Sequence, residues 1–341
     1  MKDLKDFSLL EHNTFGIDAK CSRYLEYSSV EEAVAIVRGL EAADSPLLLL
    51  GSGSNLLLTD DYCGTVITPE NRFDVEAFTL DKQPDSVYLH CWAGTTFDEV
   101  VAYAVGNGYY GMENLSLIPG EVGASAIQNI GAYGAEARDI IFEVQAVEIA
   151  TGNMLTFNNQ DCEYSYRQSK FKHEWKDKYL ITVVTYKLSR TFTPKLDYGN
   201  IRAKLEEKNI QQPTAPQLRE AVIEIRQEKL PDPKVQGNAG SFFMNPIVSH
   251  ERFEQLTAMY PAFPHYTIDA DHEKIPAGWL IDKCGWKGRS LGKAGVHSKQ
   301  ALVLVNLGGA SGKDILQLCE TIRSDVKNKF DIEINPEVNI R

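Results

Sequence analysis

Ser241 stands in the run Gly237-Asn238-Ala239-Gly240-Ser241-Phe242-Phe243-Met244-Asn245-Pro246, after a glycine and before two aromatics that would exclude water from it. A hydroxyl in such surroundings could pass a proton. No Gly-x-Ser-x-Gly pattern encloses it, so a hydrolase nucleophile elbow is not supported. Taken alone, it reads as a turn serine. Gly51-Ser52-Gly53-Ser54-Asn55 is a second candidate. Successive small residues let backbone N–H groups converge on an anion such as phosphate. A dinucleotide fingerprint would need a third glycine at position 56 and then a helix. Position 56 is Leu, opening a three-leucine run, so a tight hairpin between strands has equal weight here. The third candidate is Leu117–Ala124 with Gln128–Gly134. Its many small residues around Pro119 imply backbone set against something flat and large, with Gln128 and Asn129 able to hydrogen-bond it. A long apolar loop of this kind is more often functional than disordered. Gly308–Asp314 resembles a phosphate loop only superficially: the spacing is wrong, and Asp314 stands where a hydroxyl must reach magnesium. A helix N-cap at Ser311 explains it better.

The elements that must position these groups follow from periodicity. Ser28 and Ser29 each precede a glutamate by three residues, and Val30, Val34, Val37 and Leu40 recur at helical spacing, predicting a capped helix. Strands are expected at Leu47–Leu50, Leu56–Leu58, Val87–Trp92, Phe142–Ile149, Met154–Phe157, Tyr179–Leu188, Ala301–Asn306, Ile332–Ile334 and Val338–Ile340. Helices are expected from Thr96, as cap, to Ala104, and over Thr214–Lys229, Phe253–Tyr260, Ala277–Lys283 and Ile315–Val326. Gly111–Gly134 reads as loop. Leu230-Pro231-Asp232-Pro233 is a hard break. Strands and helices alternate without a strict βαβ rhythm, so the fold class is α+β.

The 341 residues suggest two or three domains. With 35 basic and 47 acidic residues the net charge is −12, which disfavours nucleic-acid or anionic-membrane surfaces. Any anionic ligand must then be held by local groups. The N-terminus lacks the apolar core of a signal peptide, and no segment reaches the roughly 18 apolar residues of a membrane span. Six scattered cysteines without a C-x-x-C pair suggest reduced thiols and a cytoplasmic location. The seven histidines show no metal-ligand spacing, so no metal site is expected.

In order along the chain come Gly51–Asn55, Ile118–Gly123 with Gln128–Gly134, Tyr166-Arg167 before Lys170-Phe171, Lys229-Leu230-Pro231-Asp232-Pro233, Gly240-Ser241-Phe242-Phe243 with Asn245-Pro246, and Pro336-Glu337-Val338. Together they resemble the UDP-N-acetylenolpyruvoylglucosamine reductase family of peptidoglycan precursor synthesis, over nearly the whole chain. Leu196-Asp197-Tyr198-Gly199 resembles the tyrosine loop of its longer, type I branch. The resemblance implies an FAD-binding fold of the vanillyl-alcohol-oxidase type in two α/β subdomains, residues 1–68 (with 331–341) and 69–228. A substrate-binding α+β domain would follow at 229–330. It implies non-covalent FAD, with NADPH as co-substrate and a UDP-sugar enolpyruvyl ether as substrate. A cytoplasmic monomer is expected, serving cell-wall synthesis and hence cell shape and division.

By position in these motifs, Gly51, Ser52, Gly53, Ser54 and Asn55 would hold the FAD diphosphate. Ile118, Pro119, Gly120, Gly123, Gln128, Asn129, Gly131 and Tyr133 would line the flavin. No histidine adjoins either loop, in keeping with an untethered cofactor. Ser241 would donate the proton, Arg167 would grip the substrate carboxylate, and Glu337 would polarise the developing enol. Tyr166 falls beside Arg167 in the substrate site, and Tyr198, Lys229, Asn245 and Gln300 map onto positions binding the sugar nucleotide. On their own, Arg167 reads as a surface cation, Glu337 as a solvated carboxylate and Lys229 as a last-turn helix lysine. Two residues depart from the pattern. Met244 replaces a common lysine, and Glu121 replaces a common hydroxyl residue after Ile-Pro-Gly, which counts against a side-chain contact to the flavin there. Another flavin oxidoreductase of the same fold, or a silent flavin or sugar-nucleotide binder, is the alternative. Colour and substrate-dependent NADPH oxidation would separate them.

Overall fold

The computed structural model describes residues 1–341. The chain forms two units interleaved along the sequence, one of residues 1–7, 21–52 and 63–228, the other of residues 8–20, 53–62 and 229–341.

The first unit is built on a five-stranded antiparallel sheet, ordered Met154–Asn158, Ile141–Glu148, Tyr179–Ser189, Gln83–Trp92, Val75–Leu80. The central strand is a near-continuous apolar run from Leu180 to Leu188, as a strand covered on both faces requires. Val184 pairs with Cys91 on one side and Val144 on the other. Helix α1 (Val30–Arg38) covers one face, burying Ala33, Ile36 and Val37 with Trp92, Val147 and Leu180. Its cap brings both serines to one glutamate, Glu32. Ser29 Oγ accepts from Glu32 N, while the Glu32 carboxylate accepts from Ser28 N at 2.8 Å. Helices α2 (Phe97–Gly106) and α3 (Val122–Gln128) bury Phe97, Val100, Val101, Val122 and Ala126 in a second core with Leu89, Cys91 and Tyr186. A second sheet orders Lys2–Ser8, Lys20–Tyr27, Tyr62–Pro69 and Leu47–Leu49, the last pairing in parallel with its neighbour. Helices α4 (Ile201–Glu207) and α5 (Ala215–Lys229) share a small core of Ile201, Leu205, Leu218, Val222 and Ile225. Arg219 ties α5 to α2 through a bidentate pair with Asp98, at 2.7 and 3.0 Å.

The second unit has two three-stranded sheets. One orders Ile247–Ser249, His272–Lys274 and Tyr266–Thr267; the other orders Ser290–Leu291, Ala294–Val296 and Leu304–Asn306. Helices α6 (His250–Met259), α7 (Ala277–Lys283) and α8 (Gly312–Phe330) complete it. Ser311 caps α8 in a reciprocal box with Asp314, which is why Gly308–Asp314 is no phosphate loop. The chain end returns to pair Asn339–Ile340 in parallel with Leu56–Leu57.

Several expectations from periodicity are corrected. Gly111–Gly134 is not structureless, because α3 runs through it. Its composition, Val-Gly-Ala-Ser-Ala-Ile-Gln, has too little polarity contrast to reveal a helical face. Thr96 makes no side-chain cap; the first N–H of α2, at Phe97, instead finds the Gly120 carbonyl at 3.0 Å. No strand forms at Ile332–Ile334. The strands Lys2–Ser8 and Val75–Leu80 lie at sheet edges and are mostly exposed, so no apolar pattern marks them.

Candidate active site

In the first unit the phosphate-type motif begins at Gly51 and Ser52, just after the strand Leu47–Leu49. The Ser52 hydroxyl is buried without a partner. Leu117–Gly120 is held from below by Asp98, whose carboxylate accepts from Leu117 N at 2.5 Å. Ile118 is buried and Pro119 exposed. Gly120 lends its carbonyl to α2. Gly123 donates its N–H to Ala93 O at 2.9 Å, and a Cβ there would stand 3.1 Å from that of Ala93. This glycine is therefore tightly packed against Ala93 within the protein itself.

At the end of α3, Gln128 Oε1 is buried and unpartnered. Asn129 is different. It is fully buried in a left-handed backbone conformation, its amide donates to Ser165 O at 2.8 Å, and its Oδ1 accepts from Arg138 N at 2.9 Å. Its Nδ2 also reaches Glu136 at 3.3 Å. The hydrogen bond that sequence led us to expect from this side chain toward a ligand is spent within the fold.

Gly131 and Ala132 pair with Ala135 and Glu136 in a short hairpin, leaving Tyr133 and Gly134 at its tip. Arg167 meets this hairpin from a tight turn, Ser165–Gln168, in which it has φ +56°. Its Nη2 donates to Gly131 O at 2.5 Å, and a Cβ on Gly131 would stand 2.8 Å from Nη1. The Tyr166 ring lies 5.3 Å from the guanidinium carbon. Lys172 Nζ donates to the Arg167 carbonyl and holds the turn. Tyr198, exposed, packs beside Gly134, while Gly199 faces the Tyr133 ring. The fold thus gathers Gly131, Tyr133, Arg167 and the tyrosine loop at one place in this unit.

Arg226 belongs to the same neighbourhood and escaped the sequence reading. Its Nε is buried without a partner, and burial pushes its proton affinity down, with Tyr133, Asp98 and Arg167 near enough to act on it. The signal was present. Arg226 lies four residues after Val222 on the buried stripe of α5, a position where a cation has no structural reason to be.

In the second unit, the Ser241 segment is clasped on two sides. Phe242 N donates to Leu302 O at 2.8 Å, Met244 N to Asn335 O at 2.9 Å, and Glu337 N to Phe242 O at 2.8 Å. Phe243 bridges Pro336. The structure thereby sets the Phe242 and Glu337 backbones side by side, one residue along from Ser241. The two phenylalanines, however, do not dry the hydroxyl. They are buried in the core at 0% and 1% exposure, and Ser241 itself is exposed. Gly240, at φ +68°, turns the chain between the two environments.

Asn245 Oδ1 accepts from Ala277 N at 2.9 Å and caps α7. Gln300 Oε1 lies 3.2 Å from the place a Gly278 Cβ would take. Two expected substrate residues thus converge on the first turn of one helix. Lys229, half-buried, ends α5. Gly53 (φ +67°) sits where a Cβ would strike His12 O at 2.1 Å. Asn55 is pinned to the chain end, its amide on Glu337 O at 3.3 Å and its carbonyl on Asn339 N at 3.1 Å.

An FAD binding domain joined to a further α+β domain defines the class, a flavoprotein. Residues 22–158 match an FAD binding domain, and residues 232–341 match the UDP-N-acetylenolpyruvoylglucosamine reductase C-terminal domain. The chain is 50% identical to the UDP-N-acetylenolpyruvoylglucosamine reductase of Bacteroides fragilis over 98% of both chains. It is 43% identical to that of Flavobacterium johnsoniae over 100% of both, and 44% identical to that of Porphyromonas gingivalis over 98% of both. The crystal structure of the reductase from Thermus caldophilus shares the fold, with a TM-score of 0.67 at 24% identity, covering 99% of this chain and 98% of that one. The chain belongs to the UDP-N-acetylenolpyruvoylglucosamine reductase family.

Proposed function

We propose that the protein reduces the enolpyruvyl ether of UDP-N-acetylglucosamine-enolpyruvate to UDP-N-acetylmuramate, with NADPH as reductant, as a cytoplasmic monomer in peptidoglycan precursor synthesis. The observation that carries this reading is the full-length 50% identity to a named reductase. In this division of roles, residues 1–68 with 331–341 and residues 69–228 serve the cofactor, and residues 229–330 serve the substrate. FAD fits the first unit, whose glycine-lined loops present buried polar atoms without partners at Ser52 and Gln128.

Held by the loops Gly51–Asn55 and Ile118–Tyr133, FAD would supply the hydride, drawn from NADPH, that the methylene carbon of the enol ether takes up. That addition leaves negative charge beside the substrate carboxylate, on the carbon that must next be protonated. Arg167 holds this carboxylate with its planar fork, preset by the turn and by Gly131. Ser241 gives the proton. Its exposure means that bound ligands, rather than Phe242 and Phe243, must keep water from it. Glu337, on the segment hydrogen-bonded to Phe242, polarises the enol oxygen. Atoms balance as substrate, NADPH and one proton going to product and NADP⁺. Tyr166 flanks the carboxylate clamp, and Tyr198 joins the residues that hold the sugar nucleotide. Lys229, Asn245 and Gln300 hold the sugar nucleotide, with Lys229 and the Asn245 amide nitrogen offering donors to its diphosphate. The test is a stopped-flow comparison of the two half-reactions. Purified protein should be yellow and should consume NADPH only with the enolpyruvyl substrate. Rapid NADPH oxidation by oxygen alone would point to another flavin oxidoreductase, and a colourless protein to a silent binder.

A further inference from the structure

Glu121 stands at the residue after Ile118-Pro119-Gly120, as the N-cap residue of α3, where it makes no cap. Its side chain turns inward and is only 5% exposed. Oε1 accepts a hydrogen bond from Asn71 Nδ2 at 3.3 Å, and Asn71 is held in turn by Gly94 O at 2.9 Å. Oε2 is buried with no partner. The same oxygen lies 3.0 Å from where a Cβ on Gly51 would stand, so it abuts the first residue of the small-residue loop Gly51–Asn55. Beside it, the Ser52 hydroxyl is also buried and unpartnered.

No cation offsets this carboxyl. The titratable groups that sense it are Tyr24 and Tyr27 of the strand Lys20–Tyr27. Arg72, next to Asn71, is engaged by Ser28 O, Glu70 and Asp74 instead. Burial pushes the carboxyl up to about 8, against a small lowering by Asn71. An ionised carboxylate at the mouth of an anion-binding loop would repel its ligand, whereas the neutral acid offers a donor.

We infer that Glu121 is a proton-bearing member of the cofactor cradle, giving its O–H as a hydrogen bond to a phosphate oxygen of the FAD diphosphate, so that FAD binds together with a proton. No bond is broken; the proton stays on Glu121 and is shared with the phosphate. This assignment rests on the placement of the diphosphate at Gly51–Asn55 proposed above. It leaves standing the expectation that this glutamate makes no side-chain contact to the flavin ring, and assigns it to the diphosphate instead.

The experiment is titration of FAD into the stripped protein, following flavin fluorescence between pH 6 and pH 9 and calorimetry in two buffers of unlike ionisation heat. Expected for the wild type is uptake of a fraction of a proton, near zero at pH 7 and approaching one at pH 9. The dissociation constant should weaken about tenfold per pH unit above the point where the free acid ionises. Glu121→Gln, which keeps a donor but cannot ionise, should bind within about threefold of wild type at pH 7, with no proton uptake and a flat pH profile. A wild type that takes up no proton at pH 9, or a Gln variant with the wild-type slope, overturns the proposal. Should the variant not fold, the infrared carbonyl band of a protonated carboxylic acid in wild-type holoenzyme at pH 8 decides. Its presence, with proton uptake, supports the assignment, and its absence overturns it. Failure of FAD to bind at any pH would instead remove the cofactor reading itself.

Discussion

Glu337 donates its backbone N–H to the carbonyl of Phe242 at 2.8 Å, joining the segment that carries Ser241 to the last segment of the chain. Two segments remote in sequence, one carrying the Ser241 hydroxyl and the other the Glu337 carboxyl, are thereby joined by main-chain bonds. If Ser241 is the proton donor, Ser241→Ala leaves flavin reduction by NADPH intact and slows reoxidation by the enolpyruvyl substrate by about 10²–10⁴-fold. Stopped-flow absorbance separates the two steps. Equal loss in both would take the role away from Ser241.

Arg167 depends on Gly131 for its place. A methyl at Gly131 would stand 2.8 Å from Nη1 and 2.8 Å from Ala135 O. Gly131→Ala is therefore expected to resemble Arg167→Lys. Both should raise KM for the enolpyruvyl substrate by about 10-fold or more, since a lysine cannot supply the bidentate fork, and both should spare the rate of flavin reduction by NADPH. Steady-state and single-turnover kinetics of the two variants check this. A Gly131→Ala enzyme with unchanged KM would show that Arg167 does not need that contact.

Asn129 serves stability. Its amide satisfies two backbone groups, Ser165 O and Arg138 N, and its backbone is left-handed at φ +43°. Asn129→Ala should cost about 2 kcal/mol, from the part-buried backbone groups left unpaired and the left-handed backbone. Denaturant unfolding measures it; a loss below about 1 kcal/mol would return the residue to the ligand site.

The Glu121 carboxyl also predicts a pH dependence of apo-protein stability. Its folded pKa, about 8, lies above the unfolded value of 4.5. The native state therefore keeps a proton that the unfolded chain releases. The stabilising contribution is full below pH 4.5 and is lost progressively as pH rises toward 8, at no more than about 1.4 kcal/mol per pH unit. Relative to wild type, Glu121→Gln should remove this slope between pH 5 and pH 8. Thermal unfolding across that range is the check, and parallel curves for the two proteins would sink it.

Much of the architecture was legible from periodicity. Ser29 and Ser311 announced their helices, because a cap is a local interaction between residues three apart. The apolar run Tyr179–Leu188 announced the central strand, and Ala277–Lys283 its helix. The order of the short motifs carried the family. Helix α3 and the edge strands Lys2–Ser8 and Val75–Leu80 were silent, since their residues show no contrasting face.

What the order of residues determined by itself was the set of chemical groups and the short motifs that carry them: Ser241 after Gly240, Arg167 after Tyr166, Glu121 after Ile-Pro-Gly. Only the tertiary structure decided which of these groups are surrounded by protein. It committed Asn129 to the backbone, left Ser241 exposed beside two buried rings, put Arg226 on a buried stripe next to Arg167, and closed Asn71, Gly51 and the strand Lys20–Tyr27 around Glu121. The reason is physical. A carboxyl's charge and a hydroxyl's reactivity depend on the water and partners around them, and those are supplied by residues far away along the chain.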